Sequence, residues 1–306
     1  MKSFSLSSCE LCPRRCKANR ETGTGFCQGG SSVKLAKAAL HHWEEPCISG
    51  TRGSGTVFFS GCPLRCCFCQ NYPISSENFG AEISVTRLSQ VFLELQEQGA
   101  HNINLVNPTH YVPWILEALE LARPQLRIPV VYNSGGYERV EILRELEGVV
   151  DIYLPDLKFY SSEASAKYAR APDYFSVASK AILEMYRQVG RAQYDAQGLL
   201  KKGLIIRHLA MPSLKDDSIQ LLRWIHENLP GEDILVSVMS QYLPCYHSGD
   251  YPEINRRIST YEYRKILEEL ERLGFSNGYT QQREAAVDAY IPDFDLSGVF
   301  PAASSR

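Results

Sequence analysis

The chain has 306 residues, 44% of them apolar and 22% charged, which is the composition of a folded protein of one or two domains and excludes disordered and collagen-like classes. Thirty-five acidic residues against 32 basic ones leave a net charge of −3, with no general pull towards nucleic acid or an anionic membrane. Apolar runs fall short of a membrane span and residues 1–16 lack the apolar region of a secretory signal, so a cytoplasmic protein with no nucleic-acid or membrane partner is expected.

Residues 1–50 are short of periodic structure. Cys9, Cys12, Cys16 and Cys27 lie among Gly23, Gly25, Gly29 and Gly30, which reads as a small metal-knotted or loop-rich module. From residue 56 a strand–helix rhythm begins. A β-branched and aromatic strand over 56–60 ends in Gly61. Val85, Leu88, Val91, Phe92 and Leu95 recur at helical spacing over 85–98, and Gly99 stops the helix. Strands are expected at 102–106, 128–132 and 149–154, alternating with helices at 113–122 and 138–147. Helices at 163–168 and 176–189 follow, then a hairpin at 192–202 and a strand at 204–210. A helix at 217–228, a strand at 234–240, an amphipathic helix at 260–273 and a short strand near 275–279 complete the pattern.

Six strand-then-helix units imply a parallel sheet with helices outside it, open or closed into a barrel. In such folds the chemistry collects on the loops at the C-terminal ends of the strands. Those loops are polar or glycine-rich here: Ser60-Gly61-Cys62, Asn107-Pro108-Thr109-His110, Asn133-Ser134-Gly135-Gly136, Pro155-Asp156-Leu157-Lys158, Met211-Pro212-Ser213 and Gln241-Tyr242-Leu243. Turn chemistry alone explains any one of them. Six in register point to a site.

Nine of the ten cysteines precede residue 70; Cys245 stands apart. A chain this long needs no covalent staples, and without an export signal a disulfide framework is disfavoured. Clustered reduced thiols are metal ligands first. The sharpest signal is Cys62-Pro-Leu-Arg-Cys66-Cys-Phe-Cys69, a C-x3-C-x2-C run placed after the first strand. Three thiolates on one loop hold three corners of a cubane and leave one iron open to a substrate or cofactor. Cys67 inside the run is read as a non-ligand. A structural zinc site is the competing reading. A zinc deaminase is excluded, because His42-Trp43-Glu44 is followed by Pro46-Cys47 but Gly50 occupies the position of the second thiol.

This run resembles the motif of the radical S-adenosylmethionine (SAM) superfamily. Residues 38–279 look more narrowly like its activating-enzyme-like branch, related to pyruvate formate-lyase activating enzymes. The match is specific for an uncharacterised group with C-x2-C-P-R-x-C, here Cys9–Cys16, followed by the stretch His41–Cys62. The resemblance implies a partial (β/α)6 TIM-like barrel, an α/β fold, over 51–280. A small Cys-rich N-terminal extension over 1–50 and a tail over 281–306 flank it.

It also implies roles. Cys62, Cys66 and Cys69 would ligate a [4Fe-4S] cluster whose open iron chelates SAM, and Phe68 would pack on the adenine. Asn107 opens the loop that replaces a G-G-E-type SAM loop. Asn133 and Ser134 resemble a second SAM loop, and Asp156 and Lys158 match a D-x-K pair that contacts SAM. Arg207 falls where a basic strand residue reaches SAM. His247 resembles the L-P-x-H residue at the adenosyl ribose, one position out of register. Apart from the resemblance, His41, His42 and Glu44 are candidates to cover the cluster or bind substrate. Lys158 and Arg207 are also physically apt partners for a carboxylate.

The implied activity is that of an oxidoreductase-type radical SAM enzyme. An electron from a donor such as flavodoxin or ferredoxin cleaves SAM to methionine and a 5′-deoxyadenosyl radical, which abstracts hydrogen. The protein positions SAM and excludes water and oxygen. Activation of a glycyl-radical protein is the reaction that the resemblance to pyruvate formate-lyase activating enzymes implies; modification of a small molecule or peptide is the alternative. A Cys-rich zinc protein that binds a partner is the reading from another class. The N-terminal Cys9, Cys12, Cys16 and Cys27 form a second metal candidate, for zinc or a second iron–sulfur cluster.

Overall fold

The computed structural model describes residues 4–281 and 292–301. Its first strand, β1 (Val33–His41), lies inside the stretch expected to be short of periodic structure. Val33, Leu35 and Ala38 are buried, but the register with the next strand shifts between Leu35 and Lys37. That bulge breaks the alternation that marks a strand in sequence. The short helix α1 (Pro46–Ser49) leads into β2 (Ser54–Phe59), which is buried along its length and antiparallel to β1. After α2 (Tyr72–Ser75), the short strand β3 (Ala81–Ile83) pairs with the other side of β1.

The expected rhythm follows. Helix α3 (Val85–Glu97) starts at Ser84, whose side chain accepts the Arg87 N–H, and it buries Leu88, Val91, Phe92 and Leu95. Then come β4 (Ile103–Val106), α4 (Val112–Ala122), β5 (Val130–Ser134), α5 (Val140–Arg144) and β6 (Ile152–Pro155). Helices α6 (Ser162–Ala169) and α7 (Tyr174–Val189) follow. The two-residue β7 (Gln193–Tyr194) folds back on β8 (Leu200–Leu209), the hairpin expected at 192–202. The order closes with α8 (Lys215–Asn228), β9 (Leu235–Met239), α9 (Thr260–Arg272) and β10 (Gly278–Thr280). Helix α9 opens with a full capping box between Ser259 and Glu262.

All ten strands belong to one mixed sheet in the order β10-β9-β8-β6-β5-β4-β2-β1-β3, with β7 on β8. From β2 to β10 the pairing is parallel. Among the described residues β3 and β10 remain the edges, so this is a partial (β/α)6 TIM-like barrel with an antiparallel addition. The loop after β2 reaches across the strand ends: Phe68 on it and Tyr242, just past β9, have ring centroids 6.0 Å apart, although four strands separate β2 from β9. The C-terminal segment returns to the β1 side. Leu296 N–H donates to the Ala36 carbonyl and Ala38 N–H to the Ser297 carbonyl. Arg87 is bound there by the carbonyls of Gly298 and Val299. No helix among the described residues is long and apolar enough to cross a membrane.

Candidate active site

A cavity of about 270 Å³ opens at the C-terminal ends of the parallel strands. Every parallel strand from β2 to β9 contributes to its wall, through Cys62, Asn107, Asn133, Asp156, Arg207 and Met239. This is where loop chemistry gathers in a parallel barrel.

One wall is the loop after β2. Gly61 takes φ +86° and Cys62 N–H donates to the Cys27 carbonyl at 3.1 Å. Cys62, Cys66 and Cys69 all line the cavity. The loop turns back with Cys69 N–H on the Cys66 carbonyl, 3.3 Å. Leu64 N–H donates to Cys62 Sγ at 3.4 Å, and Cys69 Sγ lies 3.2 Å from Ser75 Oγ. Burial pushes the Cys62 thiol up to about 11 and raises Cys66 and Cys69 as well, while the Lys158 charge pulls Cys66 and Cys69 the other way. Phe68 lines the cavity, edge-on to Phe159 at 6.0 Å.

The opposite wall is charged. Asp156 Oδ2 accepts from Lys158 Nζ at 2.6 Å, and Asp156 Oδ1 accepts from Arg207 Nε at 3.0 Å. Arg207 Nη2 donates to Asn133 Oδ1 at 2.6 Å and Nη1 to Glu44 Oε2 at 3.0 Å. Glu44 Oε1 accepts from Asn104 at 3.1 Å and Asn133 at 3.3 Å. Burial works to raise the Asp156 carboxyl, but Lys158 and Arg207 outweigh it and hold the group low. Burial likewise disfavours the two cations, and Asp156 more than compensates, so both stay charged.

The backbone holds these side chains in place. Asn107 adopts φ +62°, accepted more readily by Asn than by most residues. Its N–H donates to the Asn133 carbonyl at 2.8 Å and its side chain to the Gly61 carbonyl. Ser134 Oγ accepts the Gly136 N–H at 3.2 Å. The Tyr174 hydroxyl accepts Lys158 N–H and donates towards the carbonyls of Gly135 and Asp156.

Thus Cys62, Cys66, Phe68, Cys69, Asn107, Asn133, Ser134, Asp156, Lys158 and Arg207 meet in one cavity. His247 does not join them. Its backbone N–H donates to the Cys67 carbonyl at 2.8 Å, but its side chain is largely exposed and lies 3.5 Å from Asp250. The preceding Tyr246 at φ +53° reverses the chain there and stacks on Tyr72. Cys67 is buried away from the cavity wall, and the Cys245 thiol faces the Phe68 carbonyl at 3.3 Å. Of the His41–Glu44 stretch, His41, Trp43 and Glu44 reach the cavity. Glu44 proves to be the partner of Arg207 rather than a cover, a pairing invisible along the sequence because the two are 163 positions apart.

Glu138, unlike Glu44, is not among the sequence candidates. It is buried beneath the loops after β4 and β5, where it accepts from Thr109 at 2.6 Å and Tyr132 at 3.2 Å. Burial raises its carboxyl to about 7 against the hydrogen bonds of Thr109, Ser134 and Tyr132.

The N-terminal cysteines lie outside this cavity. Cys9, Cys12 and Cys27 are buried and Cys16 is exposed. Burial, and then the neighbouring Cys27, Cys9 and Cys16, push the Cys12 thiol up to about 12, so the four sulfurs are within electrostatic reach of one another. Among the described residues no three Cys, His, Asp or Glu side chains stand closely enough to cage an ion as they are. That holds for Cys62, Cys66 and Cys69 as much as for the N-terminal set.

Comparison with known proteins adds a family. The family described as the Radical SAM superfamily matches residues 56–225. The chain is similar to an uncharacterized protein of Methanocaldococcus jannaschii, 34% identical over 278 residues, 87% of this chain and 75% of that protein. Among solved structures it is similar to SuiB of Streptococcus suis, with TM-score 0.49 and 15% identity over 75% of this chain and 48% of that one. It is also similar to methylornithine synthase, with TM-score 0.48 and 16% identity over 72% of this chain and 68% of that one. The chain therefore spans about half the length of SuiB.

Proposed function

The chain belongs to the radical SAM superfamily, and from that premise we propose that it binds a [4Fe-4S] cluster and SAM in this cavity and abstracts hydrogen from a substrate there. The observation that carries the reading is the placement of three thiols on one loop opposite a partly buried Asp156–Lys158–Arg207–Glu44 network.

The residues fit both groups that the family implies. Cys62, Cys66 and Cys69 supply three soft donors to one cavity, one fewer than a fully ligated cubane takes. Their burial keeps them protonated near neutral pH, and bound metal replaces those protons. The opposite wall offers both signs of charge. Asp156 and Glu44 are acceptors for an ammonium group. Three of the five Arg207 N–H bonds are engaged; those left over, with the remaining Lys158 donors, suit a carboxylate. Together they complement an α-amino acid head group, which SAM carries.

Held by Cys62, Cys66 and Cys69, the cluster would supply one-electron reduction, and SAM beside it the radical chemistry of the family. The chain's own part is positional. Asp156 and Glu44 orient Arg207, and Asn133 fixes both Arg207 and Glu44. Phe68, Leu64 and Tyr242 give the cavity an apolar side that excludes water.

For the hydrogen donor, the finer reading is a glycyl-radical protein, supported by the resemblance to activating enzymes. A peptide or small molecule is supported by the cavity to the same extent. The electron donor in this reading is a flavodoxin or ferredoxin. The test is anaerobic reconstitution of the wild type and a Cys62→Ala/Cys66→Ala/Cys69→Ala variant with iron and sulfide, followed by reduction and addition of SAM. 5′-Deoxyadenosine from the wild type alone, read by mass spectrometry, is the expected result. A wild type that assembles no cubane and yields no product would overturn the reading. Deuterium carried into 5′-deoxyadenosine from a glycine-labelled protein would select the glycyl-radical substrate.

A further inference from the structure

The cysteines before β1 are gathered by their own backbone. Cys9 N–H donates to the Ala18 carbonyl at 3.0 Å and Lys17 N–H to the Cys9 carbonyl at 2.9 Å, which ties Cys9 to the residues just past Cys16. Arg15 N–H donates to the Cys12 carbonyl at 3.0 Å and closes a turn between Cys12 and Cys16. Cys27 returns to the same place. A side chain at Gly25 would meet Cys16 Sγ at 3.3 Å and Cys27 Sγ at 3.5 Å, so both sulfurs crowd the same side of that glycine. Gly29 N–H donates to Cys27 Sγ at 3.4 Å.

Arg20 is an independent observation. Its side chain is 1% exposed. Nε donates to the Gly30 carbonyl at 2.8 Å, and Nη1 donates to the His110 carbonyl at 2.7 Å and approaches Cys9 Sγ at 3.9 Å. The guanidinium lies 4.8 Å over the Trp114 ring. Nη2 is buried without a hydrogen-bond partner. Its described contacts are carbonyls, rings and sulfur, with no carboxylate among them. A guanidinium removed from water without a counter-charge is costly. Neutral thiols do not supply that charge. Four thiolates on a divalent ion leave a net negative centre beside it.

We propose that Cys9, Cys12, Cys16 and Cys27 bind one zinc ion as a closed four-thiolate site whose negative charge Arg20 partly neutralises. The Cys9-x2-Cys12 spacing, joined by a second pair and largely buried, is that of structural zinc sites, and binding would draw together sulfurs of which no three cage an ion as they stand. Binding exchanges the four thiol protons for the ion and changes no oxidation state. The site is separate from the cavity, so it stands or falls apart from the SAM reading. Its structural consequence is to fix Cys27, whose carbonyl holds the Cys62 amide.

The test is metal analysis of the full chain. About one zinc per chain is expected in the wild type and in the Cys62→Ala/Cys66→Ala/Cys69→Ala variant, and its loss in Cys9→Ser/Cys12→Ser. Cobalt substitution of the triple variant, which keeps the N-terminal set, is expected to give the intense thiolate-to-cobalt charge-transfer bands of a tetrahedral four-sulfur site. This readout does not depend on the folding of the double serine variant. Iron with sulfide in place of zinc in the triple variant would overturn the proposal. So would a folded triple variant without metal, or a cobalt form lacking those bands.

Discussion

The backbone amide of Cys62 donates to the carbonyl of Cys27 at 3.1 Å. The first cysteine of the cavity loop is thus tied through its backbone to Cys27, the last of the four N-terminal candidate ligands, 35 positions earlier in the chain. The turn that brings them together is Gly61, at φ +86°, where a Cβ would strike the Cys27 carbonyl.

Gly61→Ala is therefore expected to lower stability by about 1–3 kcal/mol, from the left-handed backbone and the lost approach together. Thermal unfolding of the unreconstituted protein measures it. Reduced iron incorporation should accompany the loss, because the same turn places Cys62. An unchanged melting temperature would show that the contact carries no strain.

Arg207 bridges two carboxylates and the Asn133 amide oxygen. Arg207→Met leaves Glu44 and Asp156, both partly buried, without it, although Asp156 keeps Lys158; the cost is expected below the ~3–5 kcal/mol of a fully buried pair, at about 1–3 kcal/mol. Arg207→Lys restores charge without the planar fork and is expected to recover part of the stability but not SAM affinity. Calorimetric titration with SAM, beside denaturant melts, separates the two effects.

Glu44→Gln keeps the size of the side chain and removes its charge. Arg207 then loses one of its two carboxylate partners, and the cavity loses one acceptor for an ammonium group. The expected result is roughly tenfold weaker SAM binding, about 1.4 kcal/mol, with little change in fold. Binding that is unchanged would remove Glu44 from the SAM site.

Glu138 gives a pH signature. Burial raises its carboxyl from 4.5 to about 7. Between those values the folded chain keeps a proton that the unfolded chain releases. The stability contributed by this group is therefore full at low pH and falls as pH rises towards 7, by about 3 kcal/mol at most. Glu138→Gln should flatten that slope in urea melts collected across the window. A slope that persists unchanged in the variant would assign it to other groups.

Much of this was legible because the decisive features are local. Cys62, Cys66 and Cys69 sit on one loop, and the 3.6-residue spacing of Leu88, Val91, Phe92 and Leu95 needs no tertiary knowledge. The parallel strands β2, β4, β5, β6, β8 and β9 were readable because each is a short, largely apolar run bounded by turn residues; β3, three residues long, carries no such signal. β1 was not, since the bulge at Leu35/Lys37 spoils its alternation and its partner is set by the fold. Glu44 and Glu138 were opaque for another reason: their partners Arg207 and Thr109 arrive from distant strand ends. His247 shows the converse. Its motif was visible, but the positive φ of Tyr246 turns its side chain to solvent beside Asp250.

The return of the C-terminal segment to β1 has a consequence for handling the protein. β3 pairs only with residues 33–35 of β1; beyond them, Leu296 and Ser297 occupy the open backbone groups of Ala36 and Ala38. An uncovered strand edge is a template for pairing with another copy. A chain cut before residue 292 would bare that edge and leave Arg87 without the two carbonyls it binds. Self-association on concentration would follow, and a purification tag is better placed beyond residue 301 than in exchange for this segment.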